Sequence, residues 1–250
     1  METSSNNQPG ILASAFAYWR DCASQKGRLA ATRELLRTCW EFVRDSTPAR
    51  LRRRFGDADY DWKFRVNTTS GAVGWQDRLR GAFHSLYQPT EPDLFDEMLE
   101  RLQELARVNF TEFTFIDLGS GKGRTLLMAS EYPFCRVLGI ELLPALNDIA
   151  RQNLAQYRTE SQKCFVIDSI SADATRFAFP SDPLVVYLFN PFPEAGLRRT
   201  LANLAENLNE HPRPVYVLYH NPQLEHVIGE CTFLKKLGGT HQYSIFGSVV

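Results

Sequence analysis

The sequence has no long hydrophobic run, no excess of either charge and no closely spaced cysteines. Its 250 residues carry a formal charge of −1, so the chain as a whole has no attraction to nucleic acid or to an acidic membrane. The longest apolar run near the start, over residues 11–19, ends at Arg20, has no basic segment before it and is too short to span a bilayer. These absences predict a cytoplasmic protein without an export signal.

The cysteines also exclude two kinds of site. None of them forms a CxxC pair or has histidines at zinc-finger spacing, which argues against a metal site and against a disulfide scaffold. We expect no metal ligands and predict buried thiols in a reducing compartment. The five cysteines are Cys22, Cys39, Cys135, Cys164 and Cys231.

The residue pattern of the sequence changes near residue 83, so we predict a helical N-terminal extension over 1–82 and a larger domain over 83–250. Within the extension, residues 29–45 show an amphipathic helical stripe, and residues 57–81 look like a structured loop or lid. The stripe consists of Leu29, Leu36, Trp40 and Val43. Residues 20–54 carry ten Lys or Arg against four Asp or Glu, which fits a solvated helix face better than a nucleic-acid or anionic-lipid site.

From residue 83 onward, strand-like and helix-like segments alternate. The predicted strands are continuous apolar runs, which is typical of a parallel sheet with helices on both faces. The last two strand-like runs flank Gly238 and Gly239 with no room for a helix, so they form a hairpin and the final strand is antiparallel. The other predicted strands are FTFIDLG, 136–141, 164–170, 183–189 and 213–220, and the predicted helices are 92–105, RTLLMASEY, 144–157 and 194–208.

The segment FIDLGSGKGRTLLMAS, residues 115–130, turns sharply on three glycines between a strand and a helix. A phosphate-binding loop would need Ser or Thr after Lys122, and a dinucleotide fingerprint would need a glycine where Arg124 stands. Asp117 precedes the turn and would repel a pyrophosphate, but it suits a ligand with an ammonium group, such as S-adenosylmethionine. The three glycines, whose bare backbone can approach such a ligand closely, are Gly119, Gly121 and Gly123.

DLGSGKG resembles the first motif of class I S-adenosylmethionine-dependent methyltransferases. The resemblance implies a Rossmann-like three-layer sandwich, with a seven-stranded, mostly parallel sheet and an antiparallel last strand. It also implies a cofactor site, in which Asp117 and the turn, including Ser120, face the methionine end. Glu141, with Leu142 beside it, closes the second strand and would accept hydrogen bonds from the ribose hydroxyls. Asp173 would accept from the adenine amine, and the backbone amide of Ala174 would meet the ring.

The stretch from about residue 64 to the C-terminus is similar to a group of bacterial methyltransferases of poorly defined substrate. The shared segments are VNTTSG, YQPTEPDLFDEML, the glycine turn and YLFNPF, in that order. A YxPT segment also occurs in lysine methyltransferases of this fold, which implies that Tyr87 and Thr90 contact the methionine part of the cofactor or line the acceptor channel. The alternative is that Tyr87 packs in the core and Thr90 caps the helix that begins near Pro92.

The segment FNPF, residues 189–192, follows the fourth strand and resembles the [DNS]PP[YFW] motif of amino-group methyltransferases, although one proline is missing. By this resemblance Asn190 and Pro191 would hold an acceptor amine, and Phe192 would offer an aromatic face. The alternative is an Asn-Pro turn with a core phenylalanine. Tyr219 and His220, at the end of the fifth strand, are weak candidates for receiving a proton.

The sequence therefore predicts a methyltransferase acting on an amine of a protein lysine or of a small molecule. Two alternatives stay open at this point. One is an enzyme of the same fold that methylates oxygen or nucleic acid, and the other is a non-catalytic protein that binds S-adenosylmethionine.

Overall fold

The structure is a computed structural model. It describes residues 58–68 and 89–249, and in the N-terminal part residues 16, 19, 20, 23, 24, 27–33, 35 and 36. By its internal contacts the chain divides into two compact units, one of residues 1–54 with 73–86 and the other of residues 55–72 with 87–250. Nothing tests the predicted boundary near residue 83, which stays a prediction.

In the first unit, residues 28–33, 35 and 36 are helical, as the apolar stripe predicts. Leu29 and Leu36 of that stripe are exposed, and Ala31 is buried. Trp40 and Val43 lie outside the described residues, as does the basic run that ends at residue 54.

The second unit is built on one seven-stranded sheet. The strands are β1 Thr114–Leu118, β2 Arg136–Glu141, β3 Ile167–Ser171, β4 Leu184–Leu188, β5 Val215–His220, β6 Leu234–Gly239 and β7 Tyr243–Ser248. Their order across the sheet is β3-β2-β1-β4-β5-β7-β6. The first five strands pair in parallel, and β7 is antiparallel to both β5 and β6. The predicted seven-stranded sheet with an antiparallel last strand is confirmed.

Helices cover both faces of the sheet. They are α1 Ala58–Phe64, α2 Pro92–Ala106, α3 Arg124–Ala129, α4 Pro144–Gln156, α5 Glu194–Glu210 and α6 Glu225–Gly229. One apolar cluster joins α2 and α3 to alternate residues of the central strands, and the other joins α5 and α6 to the remaining ones. Residues on neighbouring positions of each strand thus enter different cores, which explains why β1 and β4 are buried throughout. None of the helices in the described residues has both the length and the apolar character needed to cross a membrane.

Three details differ from the sequence-based prediction. Residues 58–64 form the helix α1, where the sequence indicated a loop without a clear period. Strand β3 begins three residues later than predicted because Phe165 and Val166 are exposed and lie outside the sheet. Cys164 is buried and Cys231 half-buried, but Cys135 is exposed just before β2, so the prediction of a buried thiol is wrong there. Cys22 and Cys39 lie outside the described residues.

The topology brings the predicted site residues to one edge of the sheet. Parallel strands place their carboxyl ends together, and the ends of β1, β2, β4 and β5 carry the segments that the motifs single out. In the register, Asp117 lies beside Gly139 of β2 on one side and Tyr187 of β4 on the other. These three residues therefore point to the same face of the sheet.

Candidate active site

The glycine turn follows β1 and lies against the loop after β4. Gly119 has a φ of 83°, and a Cβ on it would lie 2.6 Å from Cβ of Pro191. Its backbone N–H donates to the carbonyl of Ile140, and the N–H of Gly123 donates to the carbonyl of Ser120, each at 2.8 Å. The glycine at position 119 is therefore required twice, for the left-handed backbone and for the close approach of Pro191.

Glu141 ties the end of β2 to this turn. Its Oε2 accepts from the N–H of Gly121 and its Oε1 from the N–H of Leu143, both at 2.8 Å. The side chain is buried, and burial raises the pKa of the Glu141 carboxyl against the opposing effect of these backbone hydrogen bonds. The backbone of Leu142 also hydrogen-bonds this carboxyl. A carboxylate has about four lone-pair sites, so these three donors leave room for a further donor.

Asp117 is the second buried acid of the site, with a relative exposure of 3%. Burial raises the pKa of its carboxyl to about 8; a hydrogen bond with Thr125 opposes this shift, and the charge of Glu141 adds to it. The carboxyl of Asp117 is therefore largely neutral at pH 7 in the free protein. A cation placed against it would lower this pKa and would be held by the ionised form.

The residues beyond β2 and β3 form the other end of the site. Leu142 is an exposed leucine, at 44% relative exposure, directly after Glu141. Asp173 is exposed, and its Oδ1 accepts from the N–H and the hydroxyl of Thr175, at 2.9 and 2.8 Å, at the start of the short 3-10 helix Ala174–Arg176. Ala174 is buried. Asp173 thus serves as a cap for its own loop, which is compatible with a further bond from its other oxygen.

The FNPF loop is fixed by hydrogen bonds from the end of β5. The hydroxyl of Tyr219 donates to Oδ1 of Asn190, and Nδ2 of Asn190 donates to the carbonyl of Asn221, each at 2.7 Å. Asn190 has a φ of 46°, a left-handed conformation that asparagine tolerates better than most residues. Phe192 is half-buried and packs against the core cluster on the α5 side.

A hydrogen-bonded chain runs behind this loop on the Asp117 face. The hydroxyl of Thr90 lies 2.7 Å from the hydroxyl of Tyr187, which lies 2.8 Å from Nδ1 of His220. The N-cap position of α2 is Glu91, so Thr90 does not cap that helix as the sequence-based alternative supposed. Tyr87 lies outside the described residues.

Sequence reasoning missed Tyr187 and Phe189. The ring of Phe189 stacks on the imidazole of His220, with centroids 3.9 Å apart and an angle of 22° between the planes. The signal that could have found Tyr187 is the period of two along β4, which puts Tyr187 on the same face as Asp117. Phe189 lies just beyond the end of β4 and packs against the core cluster of that face. Phe189, and not Phe192, is therefore the aromatic residue of the FNPF segment on this face.

Several solved structures are similar to the chain. No protein-family model and no curated protein matches the chain. An RNA methyltransferase from Salinibacter ruber in complex with S-adenosyl-L-homocysteine is 22% identical over 64% of this chain and 92% of its own, with a TM-score of 0.40. A magnesium protoporphyrin IX methyltransferase from Synechocystis PCC 6803 with bound SAM is 13% identical over 98% of this chain and 99% of its own, with a TM-score of 0.46.

A dimethyladenosine transferase from Plasmodium falciparum is 12% identical over 65% of this chain and 62% of its own, with a TM-score of 0.44. At such low identities and scores, the activity of these proteins does not transfer to this chain by similarity. The sheet order and the glycine turn after β1 identify the architecture. The fold is a Rossmann-like three-layer sandwich with an antiparallel last strand.

In this fold, the glycine turn carries two buried cations, Lys122 and Arg124, that sequence reasoning left without a role. Nζ of Lys122 donates to Oδ1 of Asn67 at 3.1 Å, and Nε of Arg124 donates to the hydroxyl of Thr68 at 2.7 Å. The guanidinium of Arg124 also lies 3.4 Å from Oδ1 of Asp61 and over the ring of Tyr60. The turn is thereby attached to α1 and the segment that follows it.

Asn153 of α4 completes this attachment. Its Oδ1 accepts from the N–H of Asn67 at 2.8 Å, and its Nδ2 donates to the carbonyls of Asn67 and Lys122, both at 2.9 Å. We call the group of Asp61, Asn67, Thr68, Lys122, Arg124 and Asn153 the clasp. A signal for it existed in the sequence: two cations in a turn that faces a cationic ligand must be compensated by groups elsewhere in the chain. Within the described residues, no group of three or more His, Cys, Asp or Glu is placed to hold a metal ion.

Proposed function

We propose that the chain is an S-adenosylmethionine-dependent methyltransferase that methylates an amine nitrogen, either of a protein lysine or of a small molecule. The observation that carries the proposal is the placement of two buried carboxyl groups, Asp117 and Glu141, at the ends of neighbouring strands on either side of one glycine turn. A ligand with a positive charge at one end and paired hydroxyls further along matches this arrangement.

The residues present fit the cofactor. Glu141 accepts from three backbone N–H groups and keeps an acceptor position for a hydroxyl of a ribose. The exposed side chain of Leu142 offers an apolar surface next to it, suited to a base. The left-handed glycines leave the backbone of the turn bare for the sulfur-bearing chain.

S-adenosylmethionine supplies a methyl group that its sulfonium has already activated, so the chain has little acid or base chemistry to perform. Its task is to align the acceptor nitrogen and to exclude water, which can contribute several kcal/mol to lowering the barrier. Asn190 supports this role because two hydrogen bonds and a left-handed backbone fix it beside the turn. Catalytic roles for Tyr87, Pro191 and Phe192, and cofactor contacts of Thr90, Ser120, Asp173 and Ala174, stay predictions.

The acceptor can be identified with radiolabelled S-adenosylmethionine and an extract of the source organism. We expect label in the protein or small-amine fraction, stable to mild base, since N-methyl groups resist the hydrolysis that removes methyl esters. Glu141→Ala in parallel should abolish labelling at limiting cofactor concentration. Label confined to nucleic acid would contradict amine methylation and favour the alternative of a nucleic-acid methyltransferase. Binding without any labelling would favour a non-catalytic protein.

A further inference from the structure

His220 ends β5 on the same face of the sheet as Asp117. Tyr187 is the register neighbour of Asp117, and Leu218, two residues before His220, is the register neighbour of Tyr187. His220 is therefore two strand spacings, about 10 Å, across the sheet from Asp117 and further toward the carboxyl edge. If the methionine end of the cofactor lies against Asp117, the acceptor approaches from the β5 side of the sheet, where His220 lies.

The imidazole of His220 is held on two sides. Phe189 stacks on one face of the ring, and Tyr187 bonds Nδ1 at 2.8 Å. Tyr187, His220 and Thr90 are all buried. The hydroxyl of Thr90 contacts the hydroxyl of Tyr187 and is the last member of the hydrogen-bonded chain on the side away from His220. The ring thus has a fixed plane and a fixed direction, which is what a positioning group needs.

The other ring nitrogen, Nε2, has no hydrogen-bond partner among the described residues. It is also not sealed in the core, because the buried side-chain atoms without a partner among those residues are the hydroxyls of Tyr60 and Ser120. Nε2 therefore keeps some contact with the surroundings, although His220 as a whole is buried. Its chemical state follows from the hydrogen bonds behind it.

The hydrogen-bonded chain allows two arrangements. If Tyr187 donates to Thr90, Nδ1 of His220 carries the hydrogen and donates to Tyr187, and Nε2 presents a bare lone pair. If Thr90 donates to Tyr187, the hydrogen sits on Nε2 instead. An acceptor N–H favours the first arrangement, because in the second arrangement the hydrogen on Nε2 would face the hydrogen of the acceptor.

The charge state agrees with this role. Burial lowers the pKa of His220 to about 4, so the ring is neutral at pH 7. A neutral ring adds no positive charge beside a cationic sulfonium, and it keeps a lone pair available on one nitrogen.

We propose that His220 orients the acceptor, with Nε2 accepting a hydrogen bond from the acceptor N–H, and that Tyr187 and Thr90 are positioning residues that fix its tautomer. This inference rests on the proposed function and adds the group that orients the acceptor. In the transfer itself, the nitrogen lone pair forms the N–C bond, the S–C bond breaks with its electron pair going to sulfur, and the proton leaves the nitrogen to water.

The test needs no knowledge of the acceptor. Sinefungin carries an amine on carbon where S-adenosylmethionine carries the methyl on sulfur, so its N–H groups report on hydrogen-bond acceptors at the transfer site. S-adenosylhomocysteine lacks this group but is otherwise alike. The ratio of the two dissociation constants, measured by calorimetry, therefore reports on contacts to the amine of sinefungin, because contacts shared by the two molecules cancel.

We expect wild type to prefer sinefungin by about tenfold or more, since a hydrogen bond to a charged donor contributes roughly 1.4 kcal/mol or more. His220→Phe should remove most of this preference and leave the affinity for S-adenosylhomocysteine unchanged. His220→Gln, which retains an acceptor atom, should restore part of it. Tyr187→Phe should reduce the preference, whereas Tyr243→Phe, whose hydroxyl bonds Glu97 instead, should not.

A preference that survives His220→Phe, or no preference in wild type, would overturn the inference while leaving cofactor binding intact. Failure of wild type to bind S-adenosylhomocysteine would overturn the proposed function itself. Nitrogen NMR of the wild-type imidazole gives a second measurement that does not depend on the variants folding. We expect the hydrogen on Nδ1 and a shift of the Nε2 signal with sinefungin but not with S-adenosylhomocysteine; a hydrogen on Nε2 in the sinefungin complex would contradict the inference.

Discussion

At the scale of single residues, Glu141 holds the turn and presents its remaining lone pairs to a ligand. Glu141→Ala removes an acceptor for a ligand hydroxyl and should weaken S-adenosylhomocysteine binding by on the order of 1 to 3 kcal/mol. Isothermal calorimetry measures this directly. Glu206→Ala on the exposed side of α5 is the matched control and should change nothing. Unchanged affinity in Glu141→Ala would contradict the placement of the ribose.

Asp117 makes stability depend on pH. Burial raises the pKa of the Asp117 carboxyl in the folded state to about 8, above the ordinary value of 3.8, so the unfolded chain releases this proton at lower pH. The stability associated with the neutral carboxyl is fully present below about pH 4 and is lost as pH rises toward about 8. Asp117→Asn cannot ionise, so its melting temperature should exceed that of wild type increasingly as pH rises from about 5 to about 9. Parallel pH profiles in thermal unfolding would contradict this account.

At the scale of elements, the turn after β1 and the loop after β4 depend on each other through Gly119. An alanine there would need a left-handed backbone and would place Cβ 2.6 Å from Pro191. We expect Gly119→Ala to cost about 1 to 3 kcal/mol of stability and to weaken cofactor binding, measured by denaturant unfolding and calorimetry. Gly229→Ala is the control, because its Cβ would meet nothing within 4 Å. Equal effects of the two changes would contradict the proposed contact.

Within the clasp, the side chain of Asn153 in α4 joins the segment after α1 to the glycine turn. Asn153→Ala leaves the N–H and carbonyl of Asn67 and the carbonyl of Lys122 without this partner, so we expect a loss of roughly 2 to 4 kcal/mol of stability. Asn203→Ala removes one hydrogen bond, to the carbonyl of Phe177, and should cost about 1 kcal/mol. Urea unfolding measures the free energy of unfolding of both variants. The difference between their losses separates the contribution of the clasp contacts from the general effect of replacing an asparagine in a helix. Similar losses in the two variants would argue against it.

The elements that sequence could predict are those with a periodic or continuous apolar pattern. Strands β1, β4 and β5 and helices α4 and α5 appear within a few residues of their predicted positions, because burial on both faces of a sheet and on one face of a helix imposes such patterns. The clasp had no comparable pattern. Arg124 reaches Asp61 and Thr68 across about sixty residues of sequence, and only the folded chain brings them together.

At the scale of the whole molecule, two apolar cores on opposite faces of one sheet leave the polar groups at its carboxyl edge. Sequence motifs predicted this edge through Asp117, Glu141 and Asn190. Each of these residues lies at the end of a strand, within a short segment that can be recognised in the sequence alone. They did not reveal that Phe189 packs on the Asp117 face and Phe192 on the α5 face, because both residues lie beyond the end of β4, where the strand period no longer applies. The side of the sheet that a residue faces is a property of the assembled molecule.

A crystal structure of the chain with S-adenosylhomocysteine tests the central claim most directly. The account predicts the ribose hydroxyls within hydrogen-bond distance of Glu141 and the amino-acid end against the glycine turn on the side of Asp117. A nucleoside bound away from these two carboxyl groups, or a Glu141 with no ligand contact, would contradict it.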